Sequence, residues 1–265
     1  MSIYLDLPLL IDTKGREVYL FLVELKDVPG ALEKLTNIIS GNNVDIRSAI
    51  LIPSIEKQEV GHILIYLDFT HTRVDPSTLS EELRELDVVN WVKYIKPQYN
   101  NLIVNTFSFP IAIMGEKALL FRAEWLRELF KRLLKRFGSG GKAFLFYMGF
   151  EGGRSSAIHL KNKTNLTGRS LVEAILKIMQ AMGHGIFELE KCSLEPLEIV
   201  IKAKELYECA SNETIEEGGS QFIRGFLSGV LSEAFKMDLL AIEVKCQSKG
   251  DECCEFHVQK TNYGK

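Results

Sequence analysis

The sequence predicts an α+β chain in two parts: a ferredoxin-like βαββαβ domain, then a second α+β part that closes with a hairpin. Two observations carry this. Strand and helix patterns follow in the order β-α-β-β-α-β across residues 16–96, the split βαβ arrangement. Beyond them helical and strand patterns alternate again, and the last two strands flank a short polar turn. The 265 residues suffice for one large domain or two ordinary ones, and 46% hydrophobic with 25% charged residues is a globular mix.

The elements of the first part read in order. VYLFLVEL, within Glu17 to Leu25, is a buried strand. KDVPGAL follows. Asp27 suits a helix cap, Pro29 the first turn, and Gly30 a tight bend. Leu32, Leu35, Ile38 and Ile39 then recur at helical spacing until Gly41, Asn42 and Asn43 stop the helix. Val44 to Ile52 is a second strand. The polar turn SIEKQE leads to a third, Val60 to Phe69. Asp75-Pro76-Ser77 opens a short helix through Leu86, and Val88 to Ile95 is the fourth strand.

With its element order, its length and DVPGAL directly after the first strand, the segment Arg16 to Lys96 resembles an ACT domain. The resemblance implies a regulatory module that binds an amino acid or similar small effector, often between paired copies. It points to Asp27, Gly30, Ala31 and Leu32 as the ligand-facing turn. Backbone N–H groups at a helix start also suit a carboxylate on physical grounds. Equally, Asp27 reads as a plain N-cap and Gly30 as a turn residue. The boundaries expected are 1–97 for this domain, 98–118 for a connector and 119–265 for the second domain.

In the second part, Lys117 to Phe137 reads as an amphipathic helix with Trp125, Leu126, Leu129, Phe130, Leu133 and Leu134 on one face. Gly138 to Gly141 reads as a turn, Ala143 to Phe150 as a strand, and GFEGGR as another turn. Leu171 to Met182 is a helix ending at Gly183-His184-Gly185. Strands follow at Ile186 to Leu194 and Leu197 to Glu205. Gly219 to Phe235 is a helix whose Gly225 and Gly229 make a smooth groove for a close neighbour. Leu239 to Cys246 and Cys254 to Val258 form the final hairpin.

Gly183-His184-Gly185, RGFLSGVLSEAF and AIEVKCQSKGDECCEF carry a second resemblance. Residues 119–259 resemble the 4-vinyl-reductase-type, or hydrocarbon-binding, domain. This implies a small antiparallel sheet packed with helices, related to TRAPP subunits, dimeric, with a closed apolar pocket. Phe144, Phe146, Tyr147, Phe150, Phe187, Phe222 and Phe226 supply apolar surface for such a pocket or for a plain core.

Three of the five cysteines stand in EVKCQSKGDECCEF. In phenol-sensing relatives the resemblance implies zinc, held by a glutamate, a cysteine three residues later, a cysteine eight residues further, and one upstream cysteine. The first three fall on Glu243, Cys246 and Cys254; the fourth falls on Ser220, a poor zinc ligand. Cys253, Cys209 or His257 are the available substitutes, and nothing in the sequence selects one. Strand alternation gives a competing account. Leu240, Ile242, Val244 and Cys246 share one face, joined by Cys254, Phe256 and Val258, so the thiols read as core. On ideal alternation Glu243 points away from Cys246, so zinc requires a bulge. A redox reading stands behind both: C-x-x-C is absent, and adjacent Cys253-Cys254 would close a strained ring.

No G-x-S-x-G, H-E-x-x-H, Walker or dinucleotide motif is present, so the chain reads as a binder rather than an enzyme. A net charge of −3 predicts no general attraction to nucleic acid. No apolar run spans a bilayer, no signal peptide is evident, and the odd cysteine count suits a reducing cytoplasm. The reading is a cytoplasmic small-molecule sensor, homodimeric, with an amino-acid-type effector on the first half and an apolar or aromatic ligand on the second. Its output passes to a partner protein. The alternatives are a biosynthetic accessory protein or enzyme for a hydrophobic substrate, and a ligand-free assembly module.

Overall fold

The computed structural model describes residues 5–53, 59–209 and 219–261. The expected turn at SIEKQE lies, for residues 54–58, outside the described residues. The chain divides into two compact units, 1–119 and 120–265. Both are mixed α+β with antiparallel sheets.

The first unit runs β1 (Leu10–Asp12), β2 (Val18–Lys26), α1 (Ala31–Gly41), β3 (Asp45–Pro53), β4 (Val60–Asp68), α2 (Pro76–Arg84), β5 (Val89–Ile95), β6 (Leu102–Val104), β7 (Ala112–Ile113) and β8 (Glu116–Lys117). The sheet order is β3-β4-β2-β5. Its central strand β2 alternates. Phe21, Val23 and Leu25 pack with Leu35, Ile39, Leu79 and Leu83 of the helices. Val18 and Leu20 turn to the other face, against Leu64, Tyr66 and Ile103. That second face is covered by β1 paired with β6, a pair of strands with no signal in the sequence pattern.

Two expectations at helix starts met different fates. Asp75 caps α2, its Oδ1 accepting from the amides of Ser77 (2.9 Å) and Thr78 (3.0 Å). Asp27 does not cap α1. The helix begins only at Ala31, after Gly30 at φ +85°, and carries no side-chain cap. A left-handed residue there breaks the helix between Asp27 and its first turn.

The second unit runs α3 (Ala123–Phe137), α4 (Ser139–Thr164), α5 (Gly168–Ala181), β9 (Ile186–Leu194), β10 (Leu197–Lys204), α6 (Gln221–Phe235), β11 (Leu239–Lys245) and β12 (Cys254–Lys260), with sheet order β11-β12-β10-β9. The helix expected from Lys117 starts later, because Glu116 and Lys117 form β8. The strand expected at Ala143 to Phe150 and the turn expected at GFEGGR are both part of the 26-residue helix α4. The turn expected at Gly138 to Gly141 shrinks to Gly138 alone, between α3 and α4. The reason is the partner of α4. A Cβ on Gly149 would stand 2.1 Å from the Phe222 carbonyl oxygen, and one on Gly153 2.1 Å from that of Phe226. Reciprocally, Gly225 and Gly229 of α6 meet the carbonyls of Phe146 and Phe150 at 2.0 Å. The glycines that read as turns are where two helix backbones touch. Phe144 and Tyr147 point to solvent, so they line no pocket.

Candidate metal and ligand sites

The hairpin β11–β12 is where the two readings of the cysteines part. Leu239 and Ala241 are its buried positions, not Leu240 and Ile242, so the expected phase of β11 is reversed and Glu243 stands on the inner face. The register then slips. Glu243 pairs with Phe256 and Lys245 with Glu255, leaving Val244 as an extra residue. That bulge turns Cys246 inward too, 2% exposed. Glu243 and Cys246, opposed on ideal alternation, thus face the same point. The turn after them is clamped: the Cys246 amide donates to Asp251 Oδ2 at 2.8 Å, and the Lys249 amide to the Cys246 carbonyl at 2.9 Å.

Cys254 opens β12 opposite Ala203 and points inward, as expected. The fourth member is Cys209. It ends the turn after β10, its amide donating to the Leu206 carbonyl at 2.9 Å. One ligand atom from each of Cys209, Glu243, Cys246 and Cys254 lies within 4.8 Å of the others. His257 is half exposed and bonds Glu255 at 2.7 Å, and Cys253 stands outside this group. Of the three substitutes for the residue at 220, the fold brings in Cys209.

Ser220 is buried, but it acts on Glu243. Its amide donates to Oε2 at 2.8 Å and its hydroxyl to Oε1 at 3.1 Å, fixing the carboxylate's orientation. Glu208, beside Cys209, accepts from the amides of Phe222 (3.1 Å) and Ile223 (3.0 Å) and so caps α6. Its burial pushes it up to about 8, against the pull of those amides.

The electrostatics fit a cation. Burial pushes Glu243 up to about 7. Cys246 is held below the usual thiol range by hydrogen bonds from Cys209 and Cys254, and Cys209 is raised as the donor. A divalent ion would stabilise all four in their anionic forms. Three thiols and a carboxylate also match the donor set and number of a tetrahedral zinc site.

A second feature lies at the end of α5. Gly183 and Gly185 have φ of +82° and +151°, and a Cβ on Gly185 would press on Leu206 at 2.7 Å. This sets His184 edge-on to Tyr207, ring centroids 5.5 Å apart. The Tyr207 amide donates to the His184 carbonyl at 3.1 Å. Phe130 lies 6.3 Å from Tyr207 and 5.7 Å from Phe222, ring to ring. Within this apolar wall neither His184 Nδ1 nor the Tyr207 hydroxyl has a partner. Burial lowers the His184 pKa, which favours the neutral ring, and raises the Tyr207 phenol. Nothing in the sequence marked Tyr207.

At the start of α1, Asp27, Gly30, Ala31 and Leu32 stand together. The Asp27 amide is engaged by the Glu59 carbonyl at 2.8 Å. Ala31 is buried, while Leu32 and Val28 are exposed.

Comparison with known proteins follows the same division. The ACT domain family matches residues 19–87 and the 4-vinyl-reductase domain family residues 199–260. An uncharacterized protein of Methanocaldococcus jannaschii is 28% identical over 122 residues, 46% of this chain; the match spans 66% of that relative's length. Among solved structures, the chain is similar to the phenol-responsive sensory domain of the transcription activator PoxR with phenol: 15% identity, 58% of this chain, 82% of that one, TM-score 0.48. It is similar to a vinyl-4-reductase family protein of Methanocaldococcus jannaschii at 22% identity, 54% and 84% coverage, TM-score 0.39. It is also similar to a trafficking protein particle complex subunit 3 from Naegleria fowleri covalently bound to palmitic acid, at 20% identity, 54% and 97% coverage, TM-score 0.43.

Proposed function

We propose that this chain, an ACT domain followed by a 4-vinyl-reductase domain, is a ligand-binding regulatory protein whose second half takes an apolar molecule carrying one polar group. The two domain types support the regulatory role. The observation that carries the ligand class is the unpartnered pair His184 Nδ1 and Tyr207 hydroxyl against Phe130 and Phe222. A buried polar atom without a hydrogen bond costs about 1–3 kcal/mol, so a ligand hydroxyl placed between these two recovers that cost while aromatic rings take its apolar body.

Zinc held by Cys209, Glu243, Cys246 and Cys254 would be structural in this reading. A closed four-donor site leaves no position for a reacting water. It would tie the end of β10 to the hairpin. Cys209 is two residues from Tyr207, so the tie also holds the ligand-facing phenol in place. The start of α1, with Asp27, Gly30, Ala31 and Leu32, is the proposed place for an amino-acid-type effector on the ACT half. The protein would work as a cytoplasmic homodimer, each ligand favouring one dimer arrangement that a partner protein reads. No helix among the described residues is long and apolar enough to cross a membrane.

The test is thermal unfolding of the full chain with p-cresol and with p-xylene, which share a ring but differ in the hydroxyl. The reading expects p-cresol to raise the midpoint and p-xylene to do so less, with Tyr207→Phe abolishing the difference. No shift with either, and no small molecule retained on native mass spectrometry, would select the assembly module instead.

A further inference from the structure

We propose that Cys209 and Cys246 are a disulfide-forming pair, making the cluster a site of reversible oxidation. The consequence drawn for the metal rests on the zinc reading above; the sulfur chemistry does not. The two sulfurs lie 3.6 Å apart, so closure to a bond near 2.0 Å requires a shift of about 1.6 Å. Cys246 follows the bulge that ends β11 and enters the turn Gln247–Lys249. Cys209 ends the turn that follows β10. Each sits past the end of a ladder, where a small backbone shift breaks no strand pairing.

Cys254 is placed differently. It lies opposite Ala203 in the β10–β12 register, and its neighbours Glu255 and Phe256 pair on both sides of the strand. Drawing it toward either thiol would open that ladder. Cys192 and Cys253 are half-buried and stand outside the cluster. Glu243 is the half-buried member of the four, which marks the side from which a molecule as small as hydrogen peroxide approaches. The sequence pattern put redox chemistry only at adjacent Cys253-Cys254. The fold supplies a pair 37 residues apart in the chain.

The chemistry balances with a peroxide as oxidant. One cysteine sulfur attacks a peroxide oxygen: an S–O bond forms, the O–O bond breaks, and its proton leaves with the departing hydroxide as water. The second sulfur attacks the resulting sulfenic acid. An S–S bond forms, the S–O bond breaks, and a second water leaves with the second thiol proton. Two thiols and one peroxide give one disulfide and two waters; a dithiol reductant reverses it. The cluster then keeps only Glu243 and Cys254 as donors, too few for a stable zinc site.

The experiment uses the purified full chain, its zinc content measured first. Hydrogen peroxide is added with a chromogenic zinc chelator, the remaining thiols are alkylated, and peptides are mapped by mass. The proposal expects a loss of about 2 Da in the peptide pair carrying Cys209 and Cys246. It also expects zinc release in step with that link, and recovery of both with dithiothreitol and zinc. A Cys253→Ser chain, which removes the half-buried competitor without touching the cluster, should behave alike. Oxidation confined to Cys253, or a link that includes Cys254, overturns the pair. Zinc present and no link leaves the zinc reading standing without the pair; the link in a chain that never held zinc does the reverse.

Discussion

Two adjacent glycines of α4 should respond to alanine with opposite signs. A Cβ on Gly153 would lie 2.1 Å from the Phe226 carbonyl oxygen and 2.8 Å from its carbon. Ordinary contact begins at 3.4 Å, so α6 would have to retreat by about 1.3 Å, and backbone atoms cannot step aside as a side chain does. Overpacking of this kind costs about 1–3 kcal/mol, and here the upper end applies; the better helix propensity of alanine returns about 1 kcal/mol. Gly153→Ala should therefore lose about 2 kcal/mol, or about 6 °C in the unfolding midpoint of a unit this size. One residue earlier, a Cβ on Gly152 meets only Phe226 Cδ2, at 3.8 Å. Gly152→Ala should gain about 0.5–1 kcal/mol from propensity alone. Adding Gly225→Ala to Gly153→Ala should cost less than the sum, because the first substitution has already parted the helices. Thermal and urea unfolding followed by circular dichroism give these values. A Gly153→Ala chain as stable as Gly152→Ala would refute the backbone contact.

Three other outcomes follow from the same geometry. Cys209→Ser should weaken zinc binding about 100-fold, the share of one donor in a four-donor site, whereas Ser220→Ala, which only frees the Glu243 carboxylate, should cost about tenfold; competition with a chelator measures both. Tyr207→Phe should leave the stability of the ligand-free chain unchanged or higher, since its hydroxyl has no partner, while Tyr66→Phe loses a 2.6 Å bond to the Pro8 carbonyl and about 1 kcal/mol. Burial raises Asp68, but bonds from the Thr70 hydroxyl and amide and from Arg16 outweigh it, so its folded pKa is lowered. Such a group stabilises above its unfolded pKa near 4 and loses that contribution as pH falls through the folded value. The first unit should weaken below pH about 4, and Asp68→Ala should both destabilise it by about 2 kcal/mol at pH 7 and flatten that acid dependence in unfolding titrations.

The first unit was legible because its strands obey one rule. In β2 every second residue faces the helices, so period two in the sequence is period two in the core. The β1–β6 pair escaped because strands of three residues carry no period. In α4 the signal misled for a physical reason. A helix that must touch another backbone spends its buried positions on Gly149 and Gly153 and leaves Phe144 and Tyr147 outside, so apolar residues mark the wrong face. At the cluster, the spacing of Glu243, Cys246 and Cys254 was visible, and so was the need for a bulge between the first two. Cys209 was one of three substitutes, and no spacing rule reaches across 34 residues to Glu243. The only local sign was its place just after β10, the strand that pairs with β12 and Cys254.

The most direct test of the cluster is the metal content of the full chain beside that of Cys209→Ala, by native mass spectrometry after purification without added metal. The account predicts one zinc per chain in the parent, absent or sharply reduced in the variant, with both chains folded by circular dichroism. A zinc-free parent whose three cluster thiols react freely with an alkylating reagent would contradict it and leave the hairpin as buried cysteine alone.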